Sequence, residues 1–87
     1  MAEYQLNGEV KHVLPWLTEA APEAQEAMLA WLPKLAESPE TVASARLPRA
    51  GVPAYTAAVP GTEAFVDYVV VEQYKTVLII GVETVRV

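Results

Sequence analysis

The sequence predicts an α+β domain: a short N-terminal strand, then two helices packed on one face of a C-terminal antiparallel sheet of three to four strands. Three observations carry this expectation. Before Ser38 the apolar residues recur at helical spacing. After a Pro-rich connector they alternate or run together, as in strands. The connections between those strands are short, which suits an antiparallel meander and leaves no room for crossovers. With 87 residues the chain is long enough for one domain and not two, so residues 1–87 are read as a single unit.

Residues 4–6 read as the first strand. Asn7-Gly8 leaves two readings open: a hairpin turn, or an N-cap with Glu9 in the first turn of a helix. Val10, Val13, Leu14, Leu17 and Ala21 fall on one helical face and favour a helix over residues 7–20. Pro15 removes a backbone donor within that span, so the helix either kinks there or begins near it. The second helix is plainer. Pro22 suits its first turn, and Glu23 and Glu26 lie near the positive end of its dipole. Ala24, Met28, Trp31, Leu32 and Leu35 form its apolar stripe. Pro33 is expected to bend the last turn, and Ser38-Pro39 to end the helix, because a residue before proline is pushed out of helical geometry. Residues 41–45 read as a short further helical turn. Residues 47–53, with Pro48, Gly51 and Pro53, read as a loop. Strands follow at 54–59, 64–71 and 76–82, joined by Pro60-Gly61 and by residues 72–75.

The strands are apolar on both sides. In residues 64–71 one face carries Ala64, Val66, Tyr68 and Val70, and the other Phe65, Asp67, Val69 and Val71. In residues 76–82 one face carries Val77 and Ile79, and the other Leu78, Ile80 and Val82. A sheet with one wet face should alternate apolar and polar. Two helices cover one face only, so the other is expected to meet the C-terminal segment, a second copy or another protein.

Composition narrows the chemistry. There are no cysteines and one histidine, His12, so disulfides and a Cys/His zinc site are excluded. No cofactor is expected. The chain carries 6 Lys+Arg against 11 Asp+Glu, a net charge of −5. An acidic surface repels phosphate backbones, which makes nucleic acid an improbable high-affinity ligand. No basic–apolar leader is visible at the N-terminus. The longest apolar runs, 69–71 and 77–82, fall far short of a bilayer span. A soluble, cytoplasmic protein is expected.

The order strand, helix, helix, loop, three antiparallel strands resembles the RelE/ParE toxin superfamily of type II toxin–antitoxin systems. The likeness runs through most of the chain. Tyr4-Gln5-Leu6 stands where the family has its first strand. Residues 21–25, running into 32–35 and then Glu37-Ser38-Pro39, are similar to its second helix and closing L-x-x-x-P ending. Leu47, Tyr55, Gly61, Tyr68 and the strand at 77–82 resemble its "L…Y-x-x-x-x-G-x-Y-R-x-x-Y" pattern. The resemblance implies a toxin-like bacterial protein held by an antitoxin that wraps it with a helix or an added strand.

The departures point to a degenerate member. Where the family places an arginine three residues before the tyrosine matching Tyr68, this chain has Phe65. Where it often has His, Arg and Tyr near the last strand, only Arg86 supplies a cation. Transphosphorylation of RNA needs a base, an acid and cations for the phosphorane charge. Arg46, Arg49 and Arg86 are the candidate phosphate or RNA contacts, weighed against a reading as solvated arginines. The candidate partner-binding residues are Phe65, Asp67, Val69 and Val71. His12 is read as a surface residue near Trp16. Trp16 and Trp31 are read as packing residues. So are Tyr55, Tyr68 and Tyr74, because no basic residues interleave them as on an RNA-stacking platform. No phosphate loop, nucleophile elbow or metal-ligand spacing is present. Three functions follow: a toxin-like module that mainly binds protein; an active mRNA endoribonuclease or gyrase-blocking toxin; or a structural domain that dimerises through its sheet.

Overall fold

The computed structural model describes residues 4–48 and 51–84. In it, β1 (Gln5–Asn7) leads through a π-helical turn (Glu9–Val13) into α1 (Leu14–Glu19) and α2 (Pro22–Glu37). The strands β2 (Ala45–Arg46), β3 (Ala54–Ala58), β4 (Ala64–Val71) and β5 (Thr76–Thr84) follow, with a 3₁₀ turn (Glu72–Tyr74) before β5. They form one five-stranded sheet in the order β1-β5-β4-β3-β2. The expected meander is β3-β4-β5. The sheet is wider than three to four strands because both edges gain a short one, and it is mixed because β1 lies parallel to β5.

The hairpin reading of Asn7-Gly8 is excluded. Gly8 sits in the left-handed region at φ 88° and caps the π-helical turn. A Cβ there would lie 2.4 Å from the Ile79 carbonyl oxygen, so only glycine lets the chain leave β1 this close to β5. The helical reading holds, but in a different phase. The N–H of Leu14 donates to the carbonyl of Glu9, five residues back. That wider turn rotates the following residues relative to an α-helix. Val13 is buried, and Trp16 and Leu17 pack on the core, whereas Val10 and Leu14 face outward at 79% and 51% exposure. Pro15 falls in the first turn of α1, directly after the π-helical turn, where the hydrogen-bond register changes.

α2 matches its predicted stripe. Met28 and Leu35 are fully buried and Trp31 nearly so. Each such side chain contributes about 1.5–3 kcal/mol on burial. The helix runs through Pro33, on its exposed side, to Glu37. From α2, the Gln25 side-chain amide donates to the carbonyls of Leu17 (2.6 Å) and Ala20 (3.1 Å), capping the C-terminal end of α1. The helical turn expected at 41–45 is instead a turn, in which Thr41 and Val42 both donate to the Ser38 carbonyl, followed by β2. β2 is too short to show periodicity. It is held by its ladder to β3, extended by Ser44 N–H to Thr56 O (2.9 Å) and Leu47 N–H to Ala54 O (2.8 Å).

The core lies between the helices and one face of the sheet. Met28, Trp31 and Leu35 meet Val66, Tyr68 and Val70 of β4 and Val77 and Ile79 of β5. The Tyr68 hydroxyl donates to the Pro39 carbonyl, tying the middle of the sheet to the segment that ends α2. Tyr4, whose backbone N–H donates to the Ala36 carbonyl at the end of α2, donates its hydroxyl to Glu72 (2.8 Å), and Lys75 Nζ donates to the same carboxylate (2.6 Å).

Candidate protein-binding face

Cross-strand register fixes which residues share the sheet face away from the helices. Tyr68 pairs with Ile79 and with Tyr55, and Val70 with Val77, so these point to the core. The intervening pairs point the other way: Phe65 with Glu83, Asp67 with Gly81 and Thr56, Val69 with Leu78 and Ala54. Between Asp67 and Tyr68 the register slips by one, leaving Ile80 as an extra residue on β5. This bulge re-aims the end of the strand. Val82, expected on the outer face with Leu78 and Ile80, pairs with core-facing Val66 and packs against the core.

The outer face is therefore less apolar than simple alternation implies, and part of it is already closed. Val69 is 4% exposed and Ala54 1%, so that end is covered within the chain, and Val69 is not accessible to a partner. Phe65, Asp67, Val71 and Ile80 are half-buried, and Leu78 is exposed. These five residues, with exposed Glu83 opposite Phe65, make up the open part of this face: apolar side chains and two carboxylates. Leu78 belongs to it although the pattern of β4 alone did not single it out; its alternation with buried Val77 and Ile79 is the sequence signal.

Arg46 does not join this face. Arg46 pairs with Tyr55 on edge strand β2, and so belongs to the row that faces the helices, exposed at its margin. Arg49 and Arg86 lie outside the described residues. From residue 54 to residue 84 the only Lys or Arg is Lys75, in the turn before β5 and paired with Glu72. The tyrosines offer no stacking platform on this face. Tyr55 and Tyr68 pack against each other on the helix side, ring centroids 5.8 Å apart. Burial, with the nearby Tyr55 and Glu40, holds the Tyr68 hydroxyl well above the usual phenol range, so it stays protonated and serves as a fixed donor. Tyr74 is exposed in the 3₁₀ turn. His12 is half-buried in the π-helical turn, and its backbone N–H donates to the Gly8 carbonyl.

A cleft of about 410 Å³ opens at the other end of the molecule, between the α1–α2 junction and the β3–β4 turn. Trp16, Thr84 and Gly61 line it together with Glu19, Glu23 and Glu63. Trp16 Nε1 donates to Thr84 Oγ1 (3.1 Å), fixing the indole across the end of β5. Three carboxylates around this opening repel a phosphate as the outer face does. Among the described residues no group of His, Asp or Glu side chains is placed to hold a metal ion, and no helix is long and apolar enough to cross a membrane.

No protein-family model matches the chain, and no curated protein matches it. A solved structure does: the isolated E. coli RelE toxin superimposes with a TM-score of 0.71 at 19% sequence identity, over 97% of this chain and 86% of that one. The likeness is one of architecture, two helices on a mixed sheet over nearly the whole length, and the chain has a RelE-like α+β fold.

Proposed function

We propose that this chain is a toxin-like component of a type II toxin–antitoxin pair that acts chiefly by binding protein, with the catalytic residues of ribosome-dependent RNases largely missing. The observation that carries the reading is the outer face of β4 and β5. It presents Phe65, Asp67, Val71, Leu78 and Ile80 and, among the described residues, no Lys or Arg. A phosphoryl-transfer site needs positive charge where the phosphorane develops. A carboxylate among apolar side chains offers the reverse. Such a face suits a protein segment that brings its own apolar side chains. The RelE-like fold and the acidic net charge of −5 support the same assignment.

The test is co-expression with any small protein encoded beside it, alongside expression alone. The expected result is a stable complex on size-exclusion chromatography, with intact mRNA in cells that make this chain alone. Cleaved mRNA that becomes intact on Arg46→Ala or Arg86→Ala would establish an endoribonuclease instead. Growth arrest with uncut mRNA would point to gyrase. A homodimer with no partner and no arrest would make it a structural domain.

A further inference from the structure

The chain has four glycines, and one of them has neither a positive φ nor a tight neighbour. Gly8, Gly51 and Gly61 all have positive φ and occupy turns that demand glycine. Gly81 lies inside β5 without positive φ. A Cβ built on it meets nothing within 4 Å except Asp67 Oδ2, at 3.8 Å, an ordinary van der Waals distance. Neither backbone geometry nor internal packing excludes a larger residue there. A glycine in a strand interior weakens the strand, and it marks a bulge, such as the one at neighbouring Ile80, or a place where another molecule approaches closely.

What surrounds the gap says what approaches. Asp67 stands directly across from Gly81, and it makes no hydrogen bond or ion pair among the described residues. Phe65 lies two residues along β4 on the same face, with Glu83 opposite it. Directly opposed side chains have Cβ atoms about 4.5–5.5 Å apart, so the two carboxylates and the ring border one opening. The bulge at Ile80 kinks β5 beside it.

We propose that Gly81 is a notch that admits a cationic side chain, foremost an arginine, from a basic–apolar segment of another protein. Asp67 is its counter-charge and Phe65 its stacking surface. A planar guanidinium forks onto carboxylates and lies flat on an aromatic ring, which a compact ammonium does less well. The flanking Val71, Leu78 and Ile80 take the segment's apolar residues. Charge selects this occupant over the alternatives: a phosphate would face two carboxylates, and a second copy of a −5 chain would bring Asp67 towards its own like charge. The inference rests on the protein-binding reading above and names the chemistry of the partner.

The experiment is selection of 16-residue peptides from a random display library on the full chain, with the selected peptides remeasured by titration and by amide shifts. Peptides should be enriched in Arg beside apolar residues and should shift the amides of Phe65, Asp67, Val71 and Leu78. Their affinity should fall about tenfold or more on Asp67→Asn, which preserves shape and removes charge. Gly81→Val should block them, with an unchanged thermal midpoint for Asp67→Asn guarding against misfolding. Peptides that bind this face without basic enrichment, and equally well to Asp67→Asn, overturn the arginine notch and leave the protein-binding reading standing. An absence of any binder on this face, with the adjacent gene's product docking elsewhere, overturns both. A concentration-dependent dimer in sedimentation that is broken by Asp67→Arg also overturns the proposal.

Discussion

Tyr68→Phe isolates one hydroxyl whose role separates scaffold from chemistry. The ring is fully buried in the middle of β4, and its hydroxyl donates to the carbonyl of buried Pro39. Phenylalanine keeps the ring and its packing on Tyr55 but leaves that carbonyl without its donor. Stranding a buried acceptor costs about 1–3 kcal/mol. For a domain of this size each kcal/mol lowers the midpoint by about 4–8 °C. Thermal unfolding followed by circular dichroism should therefore show a clear drop, against a total stability of about 4–13 kcal/mol. The same burial gives a pH dependence. The folded phenol titrates above its unfolded value of about 10. Its stabilising contribution is thus complete below about pH 10 and is lost as pH rises towards the folded value, because only the unfolded chain ionises in that window. Wild type should lose stability through that alkaline window, and Tyr68→Phe should lose less. Partner binding should not change in the variant. An unchanged midpoint, or loss of binding with stability intact, would refute the structural assignment.

Three further outcomes are expected. Gly8→Ala should destabilise by about 2–4 kcal/mol in chemical denaturation, since alanine at positive φ meets a carbonyl oxygen at 2.4 Å; a change under about 0.5 kcal/mol would mean that β1 and the turn shift freely. Met28→Ala, at a site with no exposure, should cost about 2–5 kcal/mol and leave peptide binding to the outer face intact. The Glu72 carboxyl is held below the usual range by hydrogen bonds from Lys75 and then Tyr4. Its stabilising contribution is present above the unfolded value and lost as pH falls through the lowered one. A carbon-detected NMR titration should find it low in wild type and restored towards normal in Lys75→Met.

The helix–sheet layering was legible because it depends on patterns longer than one turn. The stripe Met28, Trp31, Leu35 and the run from 64 to 71 hold their faces over many residues, and both are found as expected. Features set by single residues or by partner strands were not. The π-helical turn moved Val10 and Leu14 outward because one extra residue per turn changes the phase, and nothing in their apolar character signals it. β2 exists only through its ladder to β3. The bulge at Ile80 moved Val82 to the core, because a one-residue slip reverses every side chain beyond it. Of the candidate site, Phe65, Asp67 and Val71 share an open face, Val69 is closed off, and Arg46 belongs to the other row.

Alternation along β4 separates the residues that build the core from those on the outer face. Ala64, Val66, Tyr68 and Val70 are buried against the helix layer, and their shape and apolarity fix the architecture. Phe65, Asp67 and Val71 point outward and are free to change without disturbing the layer beneath, because a strand's two rows share a backbone but not a core. A superposition at 19% identity reports on the backbone architecture. A fold does not fix an activity, so the protein-binding role proposed above is argued from the outward row and its charges. On the reading proposed above, the two carboxylates of that face, Asp67 opposite Gly81 and Glu83 opposite Phe65, with no Lys or Arg beside them among the described residues, favour a protein segment over a phosphate.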